Sequence, residues 1–193
     1  MAVAIVMDFP GGTREQYDQV VEKMDLGGQM PDGGLHHSAG ATAEGWRVVD
    51  VWESMDKFQR FAEAKIRPHS AEVGLPEPRM RVVELHNHET AGPNADVKLV
   101  HVLQLPLDEA SYDETHATIA DPLPDGAVWH TAGRGPDGGW YIIDGWASRE
   151  ARDRFTAERV GPAMAERGLQ GPPEIEDLDV QATLSAGAQG VQT

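Results

Sequence analysis

Cysteine is absent from this 193-residue chain. That excludes a disulfide framework and a thiolate metal centre. Basic residues are scarce: 16 Lys and Arg stand against 32 Asp and Glu, a formal net charge of -16. Phosphate backbones and anionic lipid surfaces are gripped by clustered Lys and Arg. Neither nucleic acid nor a membrane is therefore an expected partner. No apolar run approaches the roughly 20 residues that span a bilayer as a helix. The opening MAVAIVMDFP has no basic stretch and reads as a strand, not as a signal peptide. A soluble, cytoplasmic protein is the expectation. The sequence also lacks a P-loop, G-x-S-x-G, H-E-x-x-H and an EF-hand loop. No cofactor and no metal are expected on these grounds, so any chemistry falls to residues that line a cavity. Acidic runs such as DEASYDE and EIEDLD read as solvated faces.

What is present is a repeat. PDGGLHHSAG at 31–40 returns as PDGAVWHTAG at 124–133, with six of ten positions identical. Offsets of 93 to 96 residues align most of the chain. VAIVMDFP (3–10) matches LVHVLQLP (99–106), Tyr17-Asp18 matches Tyr112-Asp113, and GWRVVDVWES (45–54) matches GWYIIDGWAS (139–148). RFAEAKIRPHSAEVGL (60–75) then matches RFTAERVGPAMAERGL (154–169). The chain divides accordingly into a first repeat at 1–88, a linker at 89–96 rich in turn formers, a second repeat at 97–184 and a small polar, disordered tail at 185–193.

Each repeat carries the same order of elements. Residues 3–9 alternate with β-branched side chains and predict a strand. Thr13 to about Met24 predicts a helix, with Thr13 and Gln16 as a capping box. Gly33–Ala39 and Trp46–Trp52 predict a hairpin. Ser54 caps a second helix that Pro68 is expected to kink or end, and 79–88 predicts a fourth strand. Ser148 and Pro162 play the same parts in the second repeat. The order βαββαβ is the ferredoxin-like split unit. Its sheet has helices on one face only, so the other face needs cover. The fold class expected is α+β, with tandem ferredoxin-like repeats forming an intrachain dimeric α+β barrel.

That order, together with VVDVWES leading into an Arg-Phe helix, resembles the dimeric α+β barrel superfamily. Within it the similarity is to the antibiotic-biosynthesis-monooxygenase-like family. The resemblance covers about 180 residues at the level of element order, and implies a central cavity between sheets, used by relatives for aromatic or polyketide-like molecules or for haem. Relatives build the barrel from two chains, whereas this sequence carries both halves. A monomeric pseudo-dimer or a homodimer is thus expected.

His37 and His130 are the histidines kept in both repeats, and Asp50 and Asp144 the acids kept on the neighbouring strand. If Ala39 opposes Trp46, His37 opposes Val48 and lies diagonal to Asp50, within reach of a contact. Such an Asp fixes the tautomer of the His and raises its basicity, which suits a general base. The alternative is a structural polar tie. Trp46, Val48, Asp50 and Trp52 share one strand face, as do Trp140, Ile142, Asp144 and Trp146. These tryptophans form either an aromatic cavity wall or ordinary core. The repeats also differ. His101 replaces Ile5, His116 replaces Val21, Trp129 replaces His36, and Ala163 stands where the first repeat has His69. Trp129 and His101 join the four tryptophans as candidate ligand contacts. His86 and His88 have chelating spacing but lack a third ligand, and His69 is a candidate axial haem ligand.

Three functions follow. One is an enzyme without cofactor, a monooxygenase, cyclase or isomerase, using the His–Asp pairs to deprotonate a small hydrophobic or aromatic molecule. The second is a ligand-binding or stress-response module without turnover. The third is a haem protein.

Overall fold

The computed structural model describes residues 1–92, 96–166 and 174–184. The chain divides into two units, Met1–Glu84 with Leu178–Thr193 (unit 1) and Leu85–Asp177 (unit 2). The architecture is α+β, with antiparallel strands and helices packed on them.

In unit 1 the alternating N-terminal run forms β1 (Val3–Pro10). Thr13 then starts α1 (Arg14–Met24) with the full capping box: its side chain accepts from the Gln16 N–H, and Gln16 reaches back to the Thr13 N–H. The hairpin β2 (Gly34–Thr42) and β3 (Gly45–Trp52) is longer than expected and has a tighter turn. Ser54 caps α2 (Met55–Phe61) by accepting from the Lys57 N–H.

Of the two outcomes expected at Pro68, a kink or an end, the helical run does not end there. A π-helical turn at Ala62–Ile66 follows α2, and α3 (Arg67–Val73) continues with Pro68 in its first turn. Arg67 N–H bonds back to the Ala62 carbonyl, five residues earlier, so Pro68, which has no N–H to give, follows directly on the wider turn. Gly74 closes α3 in the left-handed region, φ 68°. The fourth strand, β4 (Arg79–Thr90), runs two residues past the expected end and into the expected linker. The strand order in unit 1 is β4-β1-β3-β2-β9, with β9 at Ala182–Leu184.

Unit 2 contains β5 (Leu99–Leu105), α4 (Glu109–Ile119), β6 (Ala127–Arg134), β7 (Trp140–Trp146), α5 (Arg149–Phe155), a π-helical turn at Thr156–Val160, α6 (Gly161–Glu166) and β8 (Glu174–Asp179). Pro162 again sits in the first turn of the helix after a π turn. The strand order is β8-β5-β7-β6-β4. From Leu85 onward β4 belongs to unit 2, where Ala91 N–H donates to the Val128 carbonyl. The partition therefore crosses the expected boundaries, because β4 and the β8–β9 segment each continue from one unit into the other. Residues 93–95 of the expected linker and the expected tail at 185–193 lie outside the described residues.

Both hairpins carry a bulge at the same place. In unit 1 the register shifts between Gly34 and His36, and in unit 2 between Ala127 and Trp129. A bulge adds one residue to one strand and reverses which side chains face which way beyond it. On the turn side of the bulge the pairing runs unbroken from Thr42–Gly45 to His36–Val51, which puts His37, Ala39 and Ala41 on the face of Asp50, Val48 and Trp46. The register is thus two residues from the one expected: Ala41 opposes Trp46, and His37 directly opposes Asp50. His130 directly opposes Asp144 in the same way.

The helix-side core of unit 1 is a cluster that includes Ile5, Met7, Phe9, Met24, Met30 and Phe58. The helix-side core of unit 2 includes two smaller clusters, around Leu99–Trp146 and around Tyr112–Trp140.

Candidate functional site

In each unit a tyrosine on the first helix, a histidine on the second strand and an aspartate on the third strand form one chain of hydrogen bonds. Nδ1 of His37 lies 2.7 Å from Oδ1 of Asp50, and its Nε2 lies 2.7 Å from the Tyr17 hydroxyl. Nδ1 of His130 lies 2.7 Å from Oδ1 of Asp144, and its Nε2 lies 2.7 Å from the Tyr112 hydroxyl. Each carboxylate accepts the hydrogen bond from Nδ1–H, and in that tautomer Nε2 is an acceptor for the phenol. The tyrosine ring is nearly parallel to the histidine, at 13° in unit 1 and 5° in unit 2. Trp46 and Trp140 pack against the two tyrosines, each at a centroid distance of 5.2 Å.

The surroundings of the two triads differ. A cavity of about 330 Å³ opens in unit 2 between the sheet and the helices, lined by Tyr112, His130, Asp144 and Trp146 among others. That volume falls in the range of small-molecule sites. The corresponding space in unit 1 is about 50 Å³. Aligned side chains account for the difference. Phe9 gives way to Leu105, Met24 to Ile119, and Met30 to Leu123. Long flexible methionines fill irregular gaps in unit 1, and their shorter counterparts leave the space open. The expected cavity between sheets is not where these two cavities lie: each sits under the helices of a single unit.

Polar groups surround the unit 2 triad. The His116 ring stacks on His130 at 4.9 Å, and its Nε2 lies 3.2 Å from Glu89 Oε1. Asn87 Nδ2 donates to the Tyr112 hydroxyl at 3.0 Å. In unit 1, Val21 stands in the place of His116. Across the cavity, His101 on β5 places Nδ1 2.7 Å from Asp177 Oδ1. Arg152 of α5 donates to both Asp177 oxygens at 3.1 and 2.9 Å, and Arg149 also donates to Asp177. Ile5, Phe58 and Val82 fill the corresponding positions of unit 1. Unit 2 has thus exchanged an apolar wall for an ion-paired one.

Electrostatics follow from these contacts. Burial of His130 works against its positive charge, but the Asp144 carboxylate outweighs it and raises the imidazole above its ordinary value. His116 is held below the ordinary range by burial and by the charge of His130. Burial raises both tyrosines, with the Asp50 carboxylate adding to it at Tyr17. Burial would raise Asp177, yet hydrogen bonds from His101, Arg152 and Arg149 hold its carboxyl below the usual range.

No family model matches the sequence, and no curated protein matches it. Solved structures do resemble it. Two proteins bearing the name "putative monooxygenase" come from Fusobacterium nucleatum and Lactobacillus acidophilus. The first has a TM-score of 0.73 at 11% identity, covering 95% of this chain and 94% of that one. The second has a TM-score of 0.67 at 14% identity, covering 95% of each. An uncharacterized ferredoxin fold protein of Listeria monocytogenes, related to antibiotic biosynthesis monooxygenases, has a TM-score of 0.52 at 8% identity, covering 94% of this chain and 95% of that one. The chain shares the ferredoxin-like fold of these proteins. At these identities the likeness is one of fold.

Within this fold the other candidate residues find their places. Trp52 lines the small cavity and donates its N–H to Asp50 Oδ2 at 3.2 Å. Trp146 and His101 line the large one. Trp46, Trp129 and Trp140 are buried but line neither of these cavities. Trp129 lies in the bulged part of β6, against Gly145, where a β-carbon would come within 2.3 Å of the indole nitrogen. His86 Nε2 lies 2.8 Å from Asp113 Oδ1, with its ring edge-on to Tyr112 and Trp140. His69 pairs with Glu72 at 3.7 Å and is outside the lining of the small cavity. Its counterpart Ala163 lines the large cavity and has no atom that can ligate haem iron. The helix expected to provide an axial ligand therefore does not fit haem.

Tyr17 and Tyr112 are the partners that sequence reasoning missed, although Tyr-Asp recurs in both repeats. Arg152, Asp177 and Glu89 carried no comparable signal, since each lacks a counterpart of like chemistry in the other unit.

Proposed function

We propose that the chain is a fused duplicate of a ferredoxin-like unit that binds a small aromatic or polyketide-like molecule in unit 2 and oxidises it with dioxygen. The observation that carries the reading is the Asp144–His130–Tyr112 chain ending in an apolar cavity of about 330 Å³. The monooxygenase-named relatives of the same fold support it. Unit 1 keeps the triad as a structural tie under a filled core.

The substrate in this reading has an activated aromatic methylene. Tyr112 hands its proton to His130 Nε2 as it takes one from the substrate carbon. Asp144 stabilises the imidazolium so formed. The electron pair of the broken C–H bond goes to dioxygen, forming a C–O bond. Loss of water then breaks the O–O bond and leaves a ketone. The balance is R₂CH₂ + O₂ → R₂C=O + H₂O, and the substrate provides all the electrons. Ligand-facing walls of Leu103, Leu105 and Ile142 keep water from the anion.

The test is oxygen uptake with anthrone as probe. Wild-type protein consumes oxygen, His130→Gln does not, and His37→Gln matches the wild type. Thermal stabilisation by anthrone with no uptake above the protein-free rate would favour a non-catalytic binder instead.

A further inference from the structure

Asp144 differs from Asp50 in one respect. In unit 1 both carboxylate oxygens are used, Oδ1 by His37 and Oδ2 by the Trp52 N–H. In unit 2 only Oδ1 is used, by His130. Among the described residues Oδ2 has no hydrogen-bond partner, and neither does the buried Trp146 N–H that would be its counterpart. The Asp144 side chain lines the cavity and is about nine-tenths buried, at 8% residue exposure. An ionised oxygen in such a place is costly unless something donates to it.

His101 stands directly opposite Asp144 across β5 and β7, as His130 does across β6 and β7. A 2.7 Å contact between Nδ1 and a carboxylate oxygen requires a proton between them. Nδ1 of His101 carries it toward Asp177 Oδ1, the oxygen to which Arg152 Nη1, 2.9 Å from the same Nδ1, also donates, and in this tautomer Nε2 is an acceptor. Among the described residues that Nε2 has no partner either. His101 lines the cavity, and Asp177, itself held by Arg152, anchors its Nδ1. Side chains directly opposed on one sheet face are about 4.5–5.5 Å apart at Cβ. Two acceptors are thus close enough to meet one edge of a single aromatic ring.

We propose that Asp144 Oδ2 and His101 Nε2 form a subsite for hydrogen-bond donors, and that the ligand of unit 2 is a phenol with hydroxyl groups on adjacent carbons of one edge. The proposal rests on the cavity being the ligand site and goes further by naming the polar groups the ligand must carry. An ether in place of either hydroxyl offers only lone pairs to these two atoms and binds less tightly, since desolvated acceptors would face acceptors.

Calorimetric titration of the full chain with 2,3-dihydroxynaphthalene and with 2,3-dimethoxynaphthalene tests this without any turnover. The diol is expected to bind at least about 10-fold tighter than the diether. In His101→Leu the diol is expected to weaken roughly 3- to 10-fold while the diether is unchanged. Equal binding of the two by the wild type overturns the donor subsite and leaves the cavity reading standing. A preference that survives intact in His101→Leu removes His101 from the subsite. No saturable binding of either compound overturns the subsite together with the ligand site beneath it.

Discussion

His130 stands directly across the β6–β7 ladder from Asp144, with Nδ1 2.7 Å from Oδ1. His37 and Asp50 stand in the same relation at the same distance. The same bulge precedes both histidines. What separates the two pairs is the space in front of them and the charge around them.

Replacing His130 with Gln removes the base and keeps a side chain of similar reach. The kcat for oxygen uptake is expected to fall by about 10²- to 10⁴-fold, the usual range for a general base. Asp144→Asn is expected to lower it as well, because the imidazolium loses its counter-charge and the ring its fixed tautomer. Steady-state oxygen consumption under saturating probe measures both.

The pH profile has a predicted sign. His130 acts as a base only when neutral, and Asp144 holds its pKa above the ordinary value near 6.5. kcat/KM is therefore expected to rise with pH through a midpoint above about 6.5. Tyr112, raised by burial, is expected to produce no alkaline limb below about pH 10. A rising limb centred below 6.5 would remove His130 as the titrating base.

Stability should depend on pH through the same ring. The folded pKa of His130 is raised, so its contribution is fully present below the unfolded value and is lost as pH rises through the folded one. His116 is depressed, so its contribution is present above the unfolded value and is lost as pH falls through its folded pKa. The two windows lie on opposite sides of about pH 6.5. Denaturant titrations of wild type, His130→Gln and His116→Gln from pH 5 to 9 are expected to show the wild-type advantage over His130→Gln shrinking as pH rises. The advantage over His116→Gln is expected to shrink as pH falls.

Cavity size is predicted to be set by a few side chains. Leu105→Phe with Leu123→Met installs the residues of unit 1, Phe9 and Met30. Ligand-induced stabilisation is expected to disappear, while the melting temperature of the free protein stays level or rises, since the added atoms fill empty space. Thermal melts with and without 2,3-dihydroxynaphthalene check both effects.

Ser148 accepts from the Ala151 N–H at 3.1 Å and starts α5, the helix that carries Arg152 and Phe155 to the cavity. Ser148→Ala is expected to cost about 1 kcal/mol of stability. Chemical denaturation followed by tryptophan fluorescence measures it.

The sequence by itself determined the element order of each unit, the caps at Thr13, Ser54 and Ser148, the shared face of Trp46, Asp50 and Trp52, and the meeting of His with Asp. These are local matters: a period of two assigns strand faces, and a capping side chain reaches only three residues on. Tertiary structure decided the rest. The tight turn between Thr42 and Gly45 put His37 opposite Asp50 rather than diagonal to it, because moving a turn by one residue shifts the pairing by two without altering which residues share a face. The continuation of both helices past Pro68 and Pro162 depended on a π turn that carries no residue signature. The Tyr112 hydroxyl, Glu89 and Asp177 reach the site from elements far apart in the chain. The difference between a filled unit 1 and an open unit 2 is a sum over Leu, Ile, Met and Phe positions, each an unremarkable apolar residue in the sequence. Only their packing against one another decides whether a space remains.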